Sequence, residues 1–380
     1  MLELRPTVVG AAGLVDDPLT ASDATRAVEA VLARFLDAEL RRTREVDPLF
    51  ARDVAGRVSA FVRRGGKRLR TAFLWCGWRA AGGSDDPTAV LRTGAAIELL
   101  QACALLHDDL MDGSPLRRGA PAMHVDLACL HRTSRMSGSP ESFAVAATVL
   151  AGDLALAWAD DLLMETALGS PHGTRLYREW RAMRGEMAAG QYRDIHAQAV
   201  GTSGVDEALT IATLKSALYT VERPLALGAS LTVADECVLD ALRSAGRCAG
   251  LAFQLRDDLL GAFGDPSVTG KPAGDDLRTR KLTYLLAVAV ELADTSGDKE
   301  DALALAPGPA YRSDDAVERM RAALERTGAR AEVESKIKEL VATSLWHFET
   351  TGADAAMRRE FAAMLERASG VAPDHAGEGR

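Results

Sequence analysis

The chain has 380 residues, of which 47% are hydrophobic and 5% aromatic, and its formal net charge is −9. This hydrophobic content can build a sizeable core, and scarce aromatics beside many Ala, Leu and Arg residues favour helix over sheet. The acidic balance excludes non-specific nucleic-acid binding, which needs a basic face. The length admits two domains or one large helical one. Cys76, Cys103, Cys129, Cys237 and Cys248 lack CxxC spacing and are odd in number, so they read as free and mostly buried thiols in a reducing compartment. Met1–Val15 carries Glu3 and Arg5 and has no basic segment before a long apolar stretch, so no secretory signal is expected. No apolar run approaches the roughly 18–20 residues that span a bilayer. A cytoplasmic protein with no membrane span is the expectation.

In chain order, helical periodicity dominates. An amphipathic stretch covers Ala21–Arg44 and breaks near Asp47-Pro48; a second, Pro48–Arg63, stops at Gly65-Gly66, directly before Lys67-Arg68-Leu69-Arg70. Asp86-Pro87 offers a cap and first-turn pair for a long helix reaching Met111. Thr133–Glu141 and Gly201–Val205 read as loops, with helices over Phe143–Leu168 and Leu176–Ala197 between them. Glu207–Ala229 is expected to form a helix kinked at Pro224. Asp240–Phe263 precedes a turn-rich loop, Gly264–Asp276; Leu282–Ala293 and the segments after Asp314 complete the array. The expected organisation is a flexible segment over 1–20, one all-α domain over 21–369, and a disordered tail over 370–380.

Two acidic clusters end apolar helical runs. The first is His107-Asp108-Asp109-Leu110-Met111-Asp112, with Arg117-Arg118 beyond a Gly/Pro turn; the second is Gln254-Leu255-Arg256-Asp257-Asp258, followed by Lys271 and Lys281. Carboxylates at this density repel one another and resist burial. Divalent cations remove that cost, and oxygen ligands without His or Cys suit Mg²⁺, which keeps positions open for phosphate oxygens. Asp108 and Asp112 stand one helical turn apart on one face, which also carries Gln101 and Ala104. As mere surface acids, three carboxylates against the negative end of a helix would be unfavourable. Other Asp-Asp pairs, at 16, 85, 160, 275 and 314, read as solvated or capping positions. Lys67 and Arg70 begin a helix after a flexible turn, where anions are favoured. Lys215-Ser216 lies inside an apolar helical run, where Lys215 can also snorkel to solvent. The pattern points to a diphosphate site in a helical protein.

Together these motifs resemble the trans-isoprenyl diphosphate synthase family, the polyprenyl synthetases, and within it bacterial geranylgeranyl diphosphate synthases. The motifs run in order from about Thr25 to Val290: GGKRLR (65–70), HDDLMD (107–112), PLRRGAP (115–121), AGDLALAWAD (151–160), GQYRD (190–194), KSALYTVERPLALG (215–228), FQLRDDLLGAFGD (253–265) and TGKPAGDDLRTRK (269–281). The resemblance implies a single helical bundle of the isoprenoid synthase type around an apolar cavity, with Lys67, Arg70, Gln101 and Arg118 binding isopentenyl diphosphate. It implies Mg²⁺, three ions per site, on Asp108, Asp112 and Asp257. Arg117, Lys215, Ser216, Gln254, Lys271 and Lys281 would contact the allylic substrate: dimethylallyl, geranyl or farnesyl diphosphate. The catalytic set would be Asp108, Asp112, Asp257 and Lys215, in a homodimer. Two departures stand out: Gly261 occupies the last Asp position of the second DDxxD, and Ser216 replaces a commoner Thr.

The implied reaction is head-to-tail prenyl transfer. A class I terpene cyclase is the main rival, but its second metal motif uses Asn, which this sequence lacks altogether. A silent partner subunit could shed its metal acids; both pairs remain here. Product length is read from the helix leading into Asp108. Cys103 and Ala104 are small, whereas family members that stop at fifteen carbons often carry aromatics there; Leu100 and Ile97 follow as a floor. One helical turn advances about 5.4 Å, roughly one isoprene unit, so a twenty-carbon product, geranylgeranyl diphosphate, is expected over a fifteen-carbon or longer one.

Overall fold

The computed structural model describes residues 19–264, 274–305 and 313–372. Most of the expectations for the two termini, and that for Lys271, therefore lie outside the described residues. Among the described residues the fold is all-α apart from a two-residue-stranded hairpin, β1 (Leu116–Arg117) and β2 (Ala120–Pro121).

Helices begin where the sequence provides caps. Thr20 caps Ala21–Val46 in a reciprocal box with Asp23, so it belongs to the helix rather than to the segment before it. Asp86 accepts from the Thr88 amide at 2.9 Å and opens Thr88–Met111. Ser139 caps Pro140–Leu168, and Asp235 caps Glu236–Phe263. Thr88–Met111 packs along Pro140–Leu168, and Glu236–Phe263 packs on Ala329–Glu349 and on the Ala212–Glu222 segment. Gly173–Val200 closes the ring by packing on that same segment.

Two expectations need correction. Thr88–Met111 and Pro140–Leu168 are in fact long and apolar enough to cross a membrane by length and composition. Searching for unbroken apolar runs misses them, because Ala-rich helices with few charges reach a high mean hydropathy. Their most apolar windows are 67% and 44% buried against other helices, which is the position of core helices. Among the cysteines, all free, Cys76 and Cys103 are buried, but Cys129 and Cys237 are exposed.

The expected kink at Pro224 is also displaced. The chain runs Val205–Ile211, then an eleven-residue π-helical stretch Ala212–Glu222, then Arg223–Ser230 with Pro224 in its first turn. Widened turns of this kind concentrate at functional sites. Glycines let neighbours reach it: a Cβ on Gly190 would lie 2.5 Å from the Lys215 amide nitrogen, and one on Gly250 2.4 Å from the Ala217 carbonyl oxygen. The end of the stretch is tied by buried Glu222, which accepts from Arg247 Nε at 2.8 Å.

Candidate active site

The helix ring encloses a cavity of about 530 Å³, well within the usual range for small-molecule sites. Arg70, Gln101, Cys103, Ala104, Asp108, Arg117, Lys215, Ser216, Gln254, Asp257 and Lys281 all line it. Apolar walls come from Leu105, Met187, Ile195, Ile211, Ala212 and Phe253. Eleven positions singled out in the sequence thus converge from four helical segments, the hairpin and the loop that carries Lys281.

Asp108 is the electrostatic centre. Lys215 Nζ donates to its Oδ1 at 3.1 Å, and Arg117 Nη2 to its Oδ2 at 3.2 Å. Burial pushes its carboxyl up, but Lys215, Lys281 and Arg117 outweigh that and hold it below the usual carboxylate range. Asp112, one turn on, sits at the exposed end of the helix outside the cavity lining, with Lys281 Nζ at 3.4 Å from its Oδ2.

The hairpin separates its two arginines. Arg118 and Gly119 both have positive φ, 53° and 72°, as a tight two-residue hairpin turn requires. Arg117 turns inward, its Nε donating to Asp109 Oδ1 at 2.7 Å. Arg118 turns outward: its guanidinium stacks 5.5 Å over Phe61 and covers Gly66, where a Cβ would meet its Nη2 at 2.8 Å. Burial and Arg68 beside it press its pKa down. Lys67, next to Gly66, is exposed and lines an adjoining pocket with Arg256 and Arg367 that shares Phe253 and Asp257 with the cavity.

Arg70 bridges the two regions. Its Nη2 donates to Thr220 Oγ1 at 3.0 Å, and its guanidinium lies 4.4 Å over the Tyr219 ring. Arg70 Nε, Gln101 Oε1 and the Tyr219 hydroxyl are buried and have no partner among the described residues. Such groups are costly unless something pairs with them.

Four residues were quoted within motifs but given no role of their own. Asp194 is 1% exposed and takes both active-site lysines, Lys215 Nζ at 2.6 Å and Lys281 Nζ at 3.3 Å. Its burial opposes ionisation, but the two lysines keep its pKa low. It stands one turn from Gly190, which permits the approach to Lys215, so the GQYRD motif carried the signal without assigning it. Asp109, fully buried, orients Arg117; burial raises its pKa, and its Oδ2 has no partner among the described residues. Asp258 is pushed up to about 7 by burial; its oxygens accept from Gln254 Nε2 at 2.7 Å and the Tyr284 amide at 3.3 Å. Asp276 reaches the cavity from a short helix, Asp275–Thr279.

Along the expected product channel, Cys103 and Ala104 line the cavity, but Leu100 is fully buried and does not. Met187, Tyr192, Ile195 and Ile211, from other helices, also line the cavity.

The donor set fits a hard divalent cation: carboxylate oxygens, with His107 engaged by the Val149 carbonyl at 3.3 Å rather than turned to the acids. Among the described residues no three His, Cys, Asp or Glu side chains come close enough to hold an ion by themselves. That suits Mg²⁺, which binds through one or two carboxylates and shares substrate phosphates.

Comparison with known proteins follows the same line. The signature of the polyprenyl synthetase family matches residues 54–323. Geranylgeranyl diphosphate synthase of Mycobacterium tuberculosis is 35% identical over 265 residues, 69% of each chain. The (2E,6E)-farnesyl diphosphate synthase of Mycobacterium bovis is 32% identical over 266 residues, covering 70% of this chain and 68% of its own. The crystal structure of geranylgeranyl pyrophosphate synthase from Corynebacterium glutamicum, complexed with isoprenyl diphosphate and magnesium, matches with a TM-score of 0.87 at 38% identity, over 92% of this chain and 99% of that one.

Proposed function

The chain belongs to the polyprenyl synthetase family and is a prenyltransferase, and on that premise we propose that it condenses isopentenyl diphosphate with an allylic diphosphate to give geranylgeranyl diphosphate. The observation that carries this reading is one cavity whose polar end gathers Asp108, Asp257, Lys215, Lys281 and Arg117 while its walls stay apolar.

In the reading, Lys215, Lys281 and Arg117, with Ser216 and Gln254, grip the allylic diphosphate. Arg70, Gln101, Lys67 and Arg118 take the diphosphate of isopentenyl diphosphate on the other side of the hairpin. Asp108, Asp112 and Asp257 would hold Mg²⁺, which when bound neutralises charge on the departing diphosphate. The lysines and Arg117, already fixed by Asp194 and Asp109, add charge stabilisation that needs no reorganisation at the moment of bond cleavage. As the allylic C–O bond breaks, the double bond of isopentenyl diphosphate attacks the allylic carbon. The surplus proton leaves to the released diphosphate, so no side-chain nucleophile is needed. The apolar walls keep water from the cation.

The twenty-carbon product is the finer part of the proposal, since relatives make different lengths; small Cys103 and Ala104 on the wall support it. Free cysteines support a reducing, cytoplasmic location. The test is incubation with Mg²⁺, isopentenyl diphosphate and each allylic primer, with products identified by mass. Geranylgeranyl diphosphate is the expected product. A fifteen-carbon end product would overturn the length, and no elongation of any primer would overturn the function.

A further inference from the structure

Gly261 looks like a lost ligand. It lies one helical turn after Asp257, on the same face, where an acid would set its carboxylate beside that of Asp257. A Cβ on Gly261 would lie 2.5 Å from Asp276 Oδ2, so a side chain there would push that carboxylate out of its present place. The place is already filled by a carboxylate that arrives from another segment.

That arrival is built into the backbone. The Gly274 amide donates to the Gly261 carbonyl at 2.9 Å, which fastens the start of the Asp275–Thr279 helix to the end of Glu236–Phe263. The Lys281 amide donates to the Asp276 carbonyl at 2.9 Å, so the residue that brings in the acid also sets the lysine after it. Asp276 lines the cavity together with Asp257 and Asp258. Of these, Asp258 is committed to Gln254 and to the Tyr284 amide. Asp257, Asp258 and Asp276 thus all face the cavity, and Asp276 is the one that comes from outside Glu236–Phe263.

We propose that Asp276 is the third acid of the second aspartate cluster, taking over in space the metal-supporting role that an aspartate at position 261 would have, with Gly261 as the room it needs. This rests on the prenyl-transfer reading above and adds to it which side chain completes the Mg²⁺-diphosphate site. The alternative is that Asp276 serves only as a counter-charge for Lys281.

The test measures Mg²⁺-dependent binding of farnesyl thiolodiphosphate, a non-reacting allylic analogue, by calorimetry, so turnover is not required. Asp276→Ala is expected to raise the Mg²⁺ concentration for half-maximal binding tenfold or more. Gly261→Asp combined with Asp276→Ala restores the acid from the helix side and is expected to return within threefold of the parent chain. Gly261→Ala with Asp276→Ala fills the space without a carboxylate and is expected to stay impaired. Far-ultraviolet circular dichroism and metal-free melting check that each variant is folded. Parent-like binding by Asp276→Ala, or failure of the folded Gly261→Asp double variant to recover, overturns the relocation. If the parent chain itself binds the analogue without needing Mg²⁺, the metal reading of the whole site falls, which is a separate result.

Discussion

Asp108 faces three cations across the cavity and stays ionised despite burial; a side chain with that balance is prepared for a dication and a diphosphate together. Asp108→Ala is expected to cut turnover about a thousandfold or more, several kcal/mol of transition-state stabilisation, with the helical circular dichroism spectrum unchanged. Near-normal rates at saturating Mg²⁺ would remove Asp108 from the mechanism. Five residues earlier, Cys103 has a different character: burial pushes its thiol up to about 12. At pH 8 its thiolate fraction is then about one in ten thousand, and thiolate is the reactive form. Alkylation of the native protein at pH 8, mapped by mass, should mark Cys129 and Cys237 and leave Cys103 unmodified; fast labelling of Cys103 would contradict its placement as a packed wall residue. Ala104→Phe narrows that same wall and should shorten the product; an unchanged product from a folded, active variant would show that this wall does not set the length.

Among the elements, the π-helical stretch Ala212–Glu222 matters most, because it carries Lys215, Ser216, Tyr219 and Thr220 to the cavity. Its position depends on Gly190: a Cβ there meets the Lys215 backbone nitrogen at 2.5 Å, and backbone cannot step aside as a flexible side chain can. Gly190→Ala should therefore separate the two helices, loosen the Asp194–Lys215 contact and cost about 1–3 kcal/mol in stability, the range for overpacking. Denaturant titration together with kcat tests this; parent-like stability and rate would mean the contact relaxes freely. The sequence reading found the long helices, because caps and apolar periodicity are local signals, but not Met123–Thr133, Asp275–Thr279 or Lys299–Leu305. It missed the hairpin at 116–121 and the wide turns after Ile211, since both are settled by tertiary contacts rather than by a repeat. The site was legible where a motif placed residues on one helix, as with Asp108 and Asp112. It was not legible where function depends on a residue gripping another from a distant helix, as Asp194 grips Lys215 and Lys281, or Asp109 directs Arg117. Leu100 differs: spacing along one helix assigned it to the channel, and in the fold it is fully buried and lies outside the cavity lining.

For the whole molecule, the outer side of Pro140–Leu168 is left open within one chain. This helix is as apolar as a membrane span, yet its most apolar window is only 44% buried within the chain. Val145, Val149 and Leu150 lie on one side of it with 48%, 41% and 55% of their surface exposed. Single exposed apolar residues are ordinary, but a contiguous strip on a long helix marks a place of association. A second copy of the chain is the occupant we propose, since a symmetric pair would cover the strip with its own counterpart. The inner side of this helix packs on Thr88–Met111, which ends at Asp108 and Asp112, so association would also brace the helix that carries the first acidic cluster. Sedimentation at micromolar concentration should show a dimer, and Val149→Lys with Leu150→Glu should shift it towards monomer with a loss of activity that grows on dilution. A parent chain that sediments only as a monomer, with activity per molecule independent of concentration, would show that the strip is covered by something else.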